Sequence, residues 1–217
     1  MPSRHGEVMK VKVTKRDARK SAILPATGGS LIFLGVSLVT LIETDQGEVS
    51  TRTWAISAAT AGSLLFLGVL LITLGLPYPG AGERAEVPRD PLITAASILF
   101  YMSGFATVAS FLPSMLYINR TGDLPEFGSI RFYGDALFER LWGVRGIMIS
   151  LIPFAVLGVF ETLVGTWLWR SLEIGGALGL WLTPFAVVFL LGYGAPYYYV
   201  IVPLRVILVA LVWSSLT

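Results

Sequence analysis

The sequence predicts an all-α, polytopic integral membrane protein, in which six transmembrane helices form a bundle with short loops and one interfacial helix. Three observations predict this fold class. Of the 217 residues, 54% are apolar and only 14% are charged, and the mean hydropathy is +0.73. A soluble domain carries roughly 25% charged residues, because charges cover its water-facing surface. The apolar residues are also grouped in long stretches that short polar or turn-rich breaks separate.

Six stretches have the length of about 20 mostly apolar residues that an α-helix needs to cross a bilayer. They are 22–42, 54–76, 92–118, 146–169, 175–193 and 197–216, and together they form one transmembrane domain, 22–216. Aromatic residues near the span ends are typical of the headgroup level of a membrane. Examples are Trp54, Trp167, Trp169, Tyr197 and Trp213.

The segment 1–21 is a basic tail, and it predicts the orientation of the chain. Seven cationic residues precede the first span: Arg4, Lys10, Lys12, Lys15, Arg16, Arg19 and Lys20. Because Lys and Arg are enriched on the cytoplasmic side of membrane proteins, the N-terminus is expected to be cytoplasmic, in a plasma or organellar inner membrane. This orientation signal explains the lysines better than a nucleic-acid partner does, since every lysine lies in the first 20 residues.

The longest break, residues 119–145, predicts a short helix. In the segment from Asp135 to Trp142, helical spacing places Leu137 and Leu141, with Phe138 and Trp142, on one face. Such a face predicts a helix that lies at the membrane interface and leads into the fourth span. A simple connector without an interfacial role is the alternative.

The first two spans contain an internal repeat with a shift of 33 residues. The segments 22–41 and 55–74 are identical at 14 of 20 positions. The repeat includes small residues at every fourth position: Ala22, Ala26 and Ser30 in one copy, and Ala55, Ala59 and Ser63 in the other. Small residues at this spacing let helix backbones approach closely in lipid, so this packing stripe is expected to join two helices of one chain or two copies of it.

Two ionisable residues lie well inside the predicted spans, Glu161 in the fourth and Arg205 in the sixth. A charge at the bilayer centre costs about 2.5–3.5 kcal/mol or more, so neither side chain is expected to face lipid. We predict that they form a buried pair, with an axial offset of roughly 9 Å that long side chains bridge. Thr162 and Thr166 are expected to supply further hydrogen bonds near Glu161. A backbone carbonyl freed by Pro203 is expected to help solvate Arg205. The pair either fixes the helix register or binds a proton or cation during a transport cycle. A further alternative is an unpaired Arg205 that extends to a lipid phosphate or binds a partner subunit.

The remaining polar residues give no indication of an enzyme. The chain has no Cys and one His, His5, so no thiolate site or multi-histidine metal site is expected. No motif for nucleophilic catalysis or phosphate binding is present, and we predict no catalytic residue, no metal and no cofactor.

Two functions remain. The first is a non-enzymatic integral membrane subunit that packs within a larger membrane protein complex. The alternative is a small homo-oligomeric channel or transporter with an intramembrane site at Glu161 and Arg205. The expected partners are membrane lipid and either other membrane subunits or copies of the same chain.

Overall fold

The computed structural model describes residues 27–32, 34–35, 51–75, 90–127, 130–131, 133, 136–194 and 198–216. The chain in these ranges is helical except for short connections. The helices are α1 (Thr51–Gly75), α2 (Pro91–Thr121), α3 (Leu137–Trp169), α4 (Glu173–Tyr193) and α5 (Tyr198–Val212). A hairpin of two-residue strands, β1 (Glu126–Phe127) and β2 (Ile130–Arg131), lies between α2 and α3, and a single 3-10 turn, Trp213–Ser215, follows α5. Residues 27–32 and 34–35 are also helical.

Four of these helices are long and apolar enough to cross a membrane: α2, α3, α4, and α5 together with its 3-10 turn. The apolar stretch in α1, Ala59–Leu74, is shorter. The fold is therefore compatible with a polytopic membrane protein, and six crossings remain a prediction. Most of the first predicted span and all of the tail 1–21 lie outside the described residues.

The structure joins the predicted interfacial helix to the predicted fourth span. α3 begins at Leu137, nine residues before the expected start at Gly146, and its backbone is non-helical at Gly143, where φ is 66° and ψ is −171°. Leu137 and Leu141 are exposed, whereas Phe138 is only 6% exposed and points into the bundle. The apolar residues of this short helix therefore do not all share one environment, because the ring of Phe138 packs on α4.

The helix ends show why the connections are short. The side chain of Asp90 accepts a hydrogen bond of 2.8 Å from the backbone N–H of Leu92, and Pro91 occupies the first turn of α2, where a missing N–H costs nothing. α2 and α4 end at Gly122 and Gly194, which adopt the left-handed conformation that terminates a helix. Only three residues separate α3 from α4, so these two helices run antiparallel as neighbours.

α2 and α3 form the central packed pair of the bundle, and glycines set the distance between them. An added Cβ at Gly158 would overlap the hydroxyl of Thr107, and one at Gly104 would overlap the hydroxyl of Thr162. Neither position has room for a side chain, so the two backbones lie in close contact. α5 packs against α2 and α4.

The two copies of the repeat pack antiparallel on each other. An added Cβ at Gly68 would lie 2.6 Å from the carbonyl oxygen of Gly28, and one at Gly35 would lie 3.0 Å from that of Ala61. The shift of 33 residues relates Gly28 to Ala61 and Gly35 to Gly68. Exchanging the two copies therefore converts one contact into the other, and the described parts of the two copies have approximate two-fold symmetry at these positions.

Replacement of Gly158 with Ala should destabilise the protein by about 1–3 kcal/mol, because the new methyl group overlaps Thr107 and forces α2 and α3 apart. The matched control is Gly29→Ala, since an added Cβ at Gly29 has no neighbour within 4 Å. The thermal midpoint in mild detergent should fall for Gly158→Ala and stay unchanged or rise slightly for Gly29→Ala. Equal midpoints for the two variants would contradict the close approach of α2 and α3.

Candidate functional site

Three helices converge on one buried polar cluster in the middle of the bundle. α2 contributes Ser103, α3 contributes Glu161 and α5 contributes Arg205, and all three side chains are 0% exposed. Each of them lies on the face of its helix that also carries buried apolar residues. The structure therefore brings together the two charged residues that the sequence singles out.

The Glu161 carboxylate has a partner at each oxygen. The Nη1 of Arg205 forms an ion pair and hydrogen bond with Oε1 of Glu161. The hydroxyl of Ser103 donates a hydrogen bond of 2.6 Å to Oε2. Nη1 of Arg205 also donates to the Ser103 oxygen at 3.3 Å, so the three side chains form a closed triangle. Hydrogen bonds to ionised groups are the strongest kind, so this triangle compensates a large part of the cost of burying the carboxylate.

The cost of burying the charge of Arg205 is less completely compensated than the cost of burying that of Glu161. Its guanidinium carbon lies 4.8 Å from the centre of the Phe100 ring, which provides a favourable cation–π contact. Its Nε and Nη2 atoms are buried and have no hydrogen-bond acceptor among the described residues. A buried donor without an acceptor costs roughly 1–3 kcal/mol, and more when it is charged. The cost of burying this guanidinium is therefore only partly offset within the described part of the chain.

Ser103 is a partner of Glu161 that the sequence does not indicate. The residues around Glu161 that were expected to supply extra hydrogen bonds were Thr162 and Thr166. Both hydroxyls instead donate to backbone carbonyls of their own helix, at 2.8 and 3.0 Å. Nothing in the spacing of Ser103 distinguishes it from Thr107, four residues later in the same predicted span. The hydroxyl of Thr107 donates to a backbone carbonyl of its own helix, as the two threonines of α3 do.

The expectation that Pro203 helps to solvate Arg205 is not met. A proline inside a helix frees the carbonyl four residues earlier, and that oxygen was expected to accept from the guanidinium. Pro203 does lie inside α5. No backbone carbonyl among the described residues accepts a hydrogen bond from Nε or Nη2 of Arg205.

The predicted packing stripe does not form the contact between the copies of the repeat in the described residues. Ser30, Ala59 and Ser63 are exposed, and the close contacts are made by the glycines and by Ala61. Ala22, Ala26 and the side chain of Ala55 lie outside the described residues.

Comparisons with known proteins do not assign the chain to a class. No family model, curated protein or solved structure matches it. In the part of the chain that the structure describes, no three His, Cys, Asp or Glu side chains lie together in a group that would bind a metal ion. Function is therefore argued from the helical fold and the buried cluster.

Replacement of Glu161 with Gln should destabilise the protein by about 3–5 kcal/mol, because it leaves the Arg205 guanidinium buried without a counter-charge. The matched control is Glu173→Gln, which removes an exposed carboxylate in the first turn of α4. The control variant should lose less than about 1 kcal/mol, the usual value of an acidic residue at a helix N-terminus. Thermal and denaturant unfolding in mild detergent measure both effects, and a Glu161→Gln variant as stable as the control would exclude an energetically coupled pair.

Proposed function

We propose that the chain is a non-enzymatic integral membrane subunit that packs within a larger membrane protein complex. The observation that carries this proposal is the contrast between the inside and the outside of the bundle. Glu161 and Arg205 are fully enclosed, whereas Trp181, Val200 and Leu211 are 66%, 64% and 63% exposed. This distribution suits a protein whose surroundings are hydrocarbon and other helices, and whose polar groups fix its internal packing.

The apolar exterior extends over all the long helices. Large apolar side chains with at least 49% exposure occur on α2, α3, α4 and α5, and examples are Met102, Ile149, Val188 and Ile207. Water-soluble monomers rarely expose apolar patches larger than a few hundred Å², because the exposed area promotes association. We expect lipid tails and partner helices to cover this surface. A cytoplasmic N-terminus, which the basic tail favours, belongs to the same proposal.

α1 carries the feature that supports a protein partner in particular. Ala59 and Ser63 are four residues apart on its exposed surface, and the described residues of the first repeat copy pack elsewhere on α1. In lipid, helices associate through small residues that permit close backbone contact, since burial of apolar area no longer drives association. A helix from another subunit is the partner that we expect on this face of α1.

The mass of the native particle tests the proposal. After gentle extraction, the 23.5 kDa chain should migrate in a heavier assembly that contains other proteins. The double variant Ala59→Leu with Ser63→Leu should release the chain from that assembly, because the larger side chains separate the helix backbones. Ala210→Leu, at an exposed position on α5, is the matched control and should remain assembled. A particle that contains only copies of this chain, or the free chain, would exclude the subunit proposal.

One observation favours the second candidate, a small homo-oligomeric channel or transporter. The Nε and Nη2 atoms of Arg205 have no acceptor among the described residues, so the guanidinium retains two donors for another anionic or polar group. A cycle in which Glu161 separates from Arg205 would use these donors. The full burial of both side chains argues for the subunit proposal, because neither charge is exposed for exchange with a transported ion.

Flux measurements separate the two candidates. Under the subunit proposal, the purified chain in liposomes should not increase proton or alkali cation leakage above that of protein-free liposomes. The transport candidate predicts leakage that Glu161→Gln abolishes and Glu173→Gln leaves intact. Flux with that dependence on Glu161 would overturn the subunit proposal.

A further inference from the structure

The first six residues of α3, 137–142, form a separate short arm. Gly143 follows them with φ 66° and ψ −171°, a conformation that is essentially restricted to glycine. Beyond this bend, an added Cβ at Gly146 would overlap Cβ of Trp142. The two glycines therefore let the arm turn away from the axis of α3 while Trp142 folds back onto the first turn after the bend.

Aromatic packing fixes the arm to the end of the bundle. The Phe138 ring lies against Tyr193 and Phe189 of α4, with ring centres 5.4 and 6.0 Å apart and nearly perpendicular planes. It also stacks on Trp142 at 5.0 Å. Gly192 provides the space for Phe138, because an added Cβ there would overlap the ring. The arm is thus held in a defined position, although it is only six residues long.

The outer side of the arm combines apolar and cationic groups. Leu137, Leu141 and Trp142 are 47%, 60% and 58% exposed. Arg140 lies beside the leucines on the same helical turn, and Arg145 follows just after the bend. Both arginines are exposed, and neither forms an ion pair within the described part of the chain. Arg140 is therefore a cation next to the exposed leucines, and Arg145 adds a second exposed cation two residues after the bend.

The position of the arm in the fold indicates what this surface meets. The arm lies where α2 and α4 end, at Gly122 and Gly194, and where α3 and α5 begin. In a membrane-inserted bundle, the ends of the apolar helices lie at the level of the lipid headgroups. At that level leucine and tryptophan enter the acyl boundary, and arginine binds phosphate oxygens with its fork of N–H donors.

We propose that the arm, together with Arg145, is a binding site for the headgroup of an anionic phospholipid. Leu137, Leu141 and Trp142 hold the arm at the surface of the acyl chains, and the Arg140 and Arg145 guanidinium groups bind the phosphate and the anionic headgroup. This proposal rests on the proposed membrane insertion of the bundle. It goes further in that it assigns to the protein a preference for one class of lipid. A water-soluble protein partner is less suited to this surface, because the leucines would then face water whenever the partner was absent.

Native mass spectrometry of the purified full chain tests the site. In mild detergent, the chain is titrated with phosphatidylglycerol and, separately, with phosphatidylcholine of the same acyl chains. The wild type should bind phosphatidylglycerol more tightly than phosphatidylcholine. In the double variant Arg140→Gln with Arg145→Gln, the ratio of these two affinities should fall on the order of tenfold. The matched control, Arg140→Lys with Arg145→Lys, keeps both charges and should retain most of the preference. Added salt should weaken the preference in the wild type.

Two results would overturn the lipid site. One is an equal affinity of the wild type for both lipids, and the other is an undiminished preference in the glutamine variant. Thermal unfolding of each variant is the control for folding, and the exposed substitutions should leave the unfolding midpoint unchanged. Alkaline extraction of membranes tests the underlying proposal separately: release of the wild-type chain would reject membrane insertion, whereas a retained chain without lipid preference would reject only the site.

Discussion

The enclosure of two opposite charges is the constraint on which the rest of the structure depends. An isolated ion inside a bundle loses its hydration, and only a counter-charge with further hydrogen bonds compensates that loss. Glu161 and Arg205 are on different helices, and Ser103 on a third completes the set. The register of α2, α3 and α5 must therefore satisfy all three side chains at once. The glycines at the crossing of α2 and α3 permit this register, because they let Ser103 come within hydrogen-bond distance of the carboxylate.

The cost of burying the two charges is compensated unequally, and this difference bears on how much the pair contributes to stability. Both carboxylate oxygens of Glu161 are bonded, but only one of the three guanidinium nitrogens of Arg205 has a hydrogen-bond acceptor among the described residues. A buried pair of this kind adds little to stability over apolar side chains of similar volume. Under the subunit proposal, its value is that it excludes alternative helix registers, since a shift of either helix would leave two ions without partners.

The helical fold follows from the sequence because hydrophobic stretches of transmembrane length leave few alternatives. Four of the predicted spans coincide with the long apolar helices to within a few residues, apart from the early start of α3. The charged residues stand out because they are rare in such stretches. Ser103 does not, because serine and threonine in apolar helices usually bond to their own backbone, and only the crossing of α2 and α3 selects this one. The inward turn of Phe138 was not predictable either, since it depends on the bend at Gly143 and on the space beside Gly192.

The coupling free energy between positions 161 and 205 tests the mutual dependence of the two charges most directly. Unfolding of the wild type, Glu161→Leu, Arg205→Met and the double variant in the same detergent yields this quantity, because the double variant removes both ions and the single variants leave one. A mutually compensating pair predicts that the double variant is more stable than either single variant, with a coupling of at least about 2 kcal/mol. Additive losses, with the double variant the least stable of the four, would contradict it.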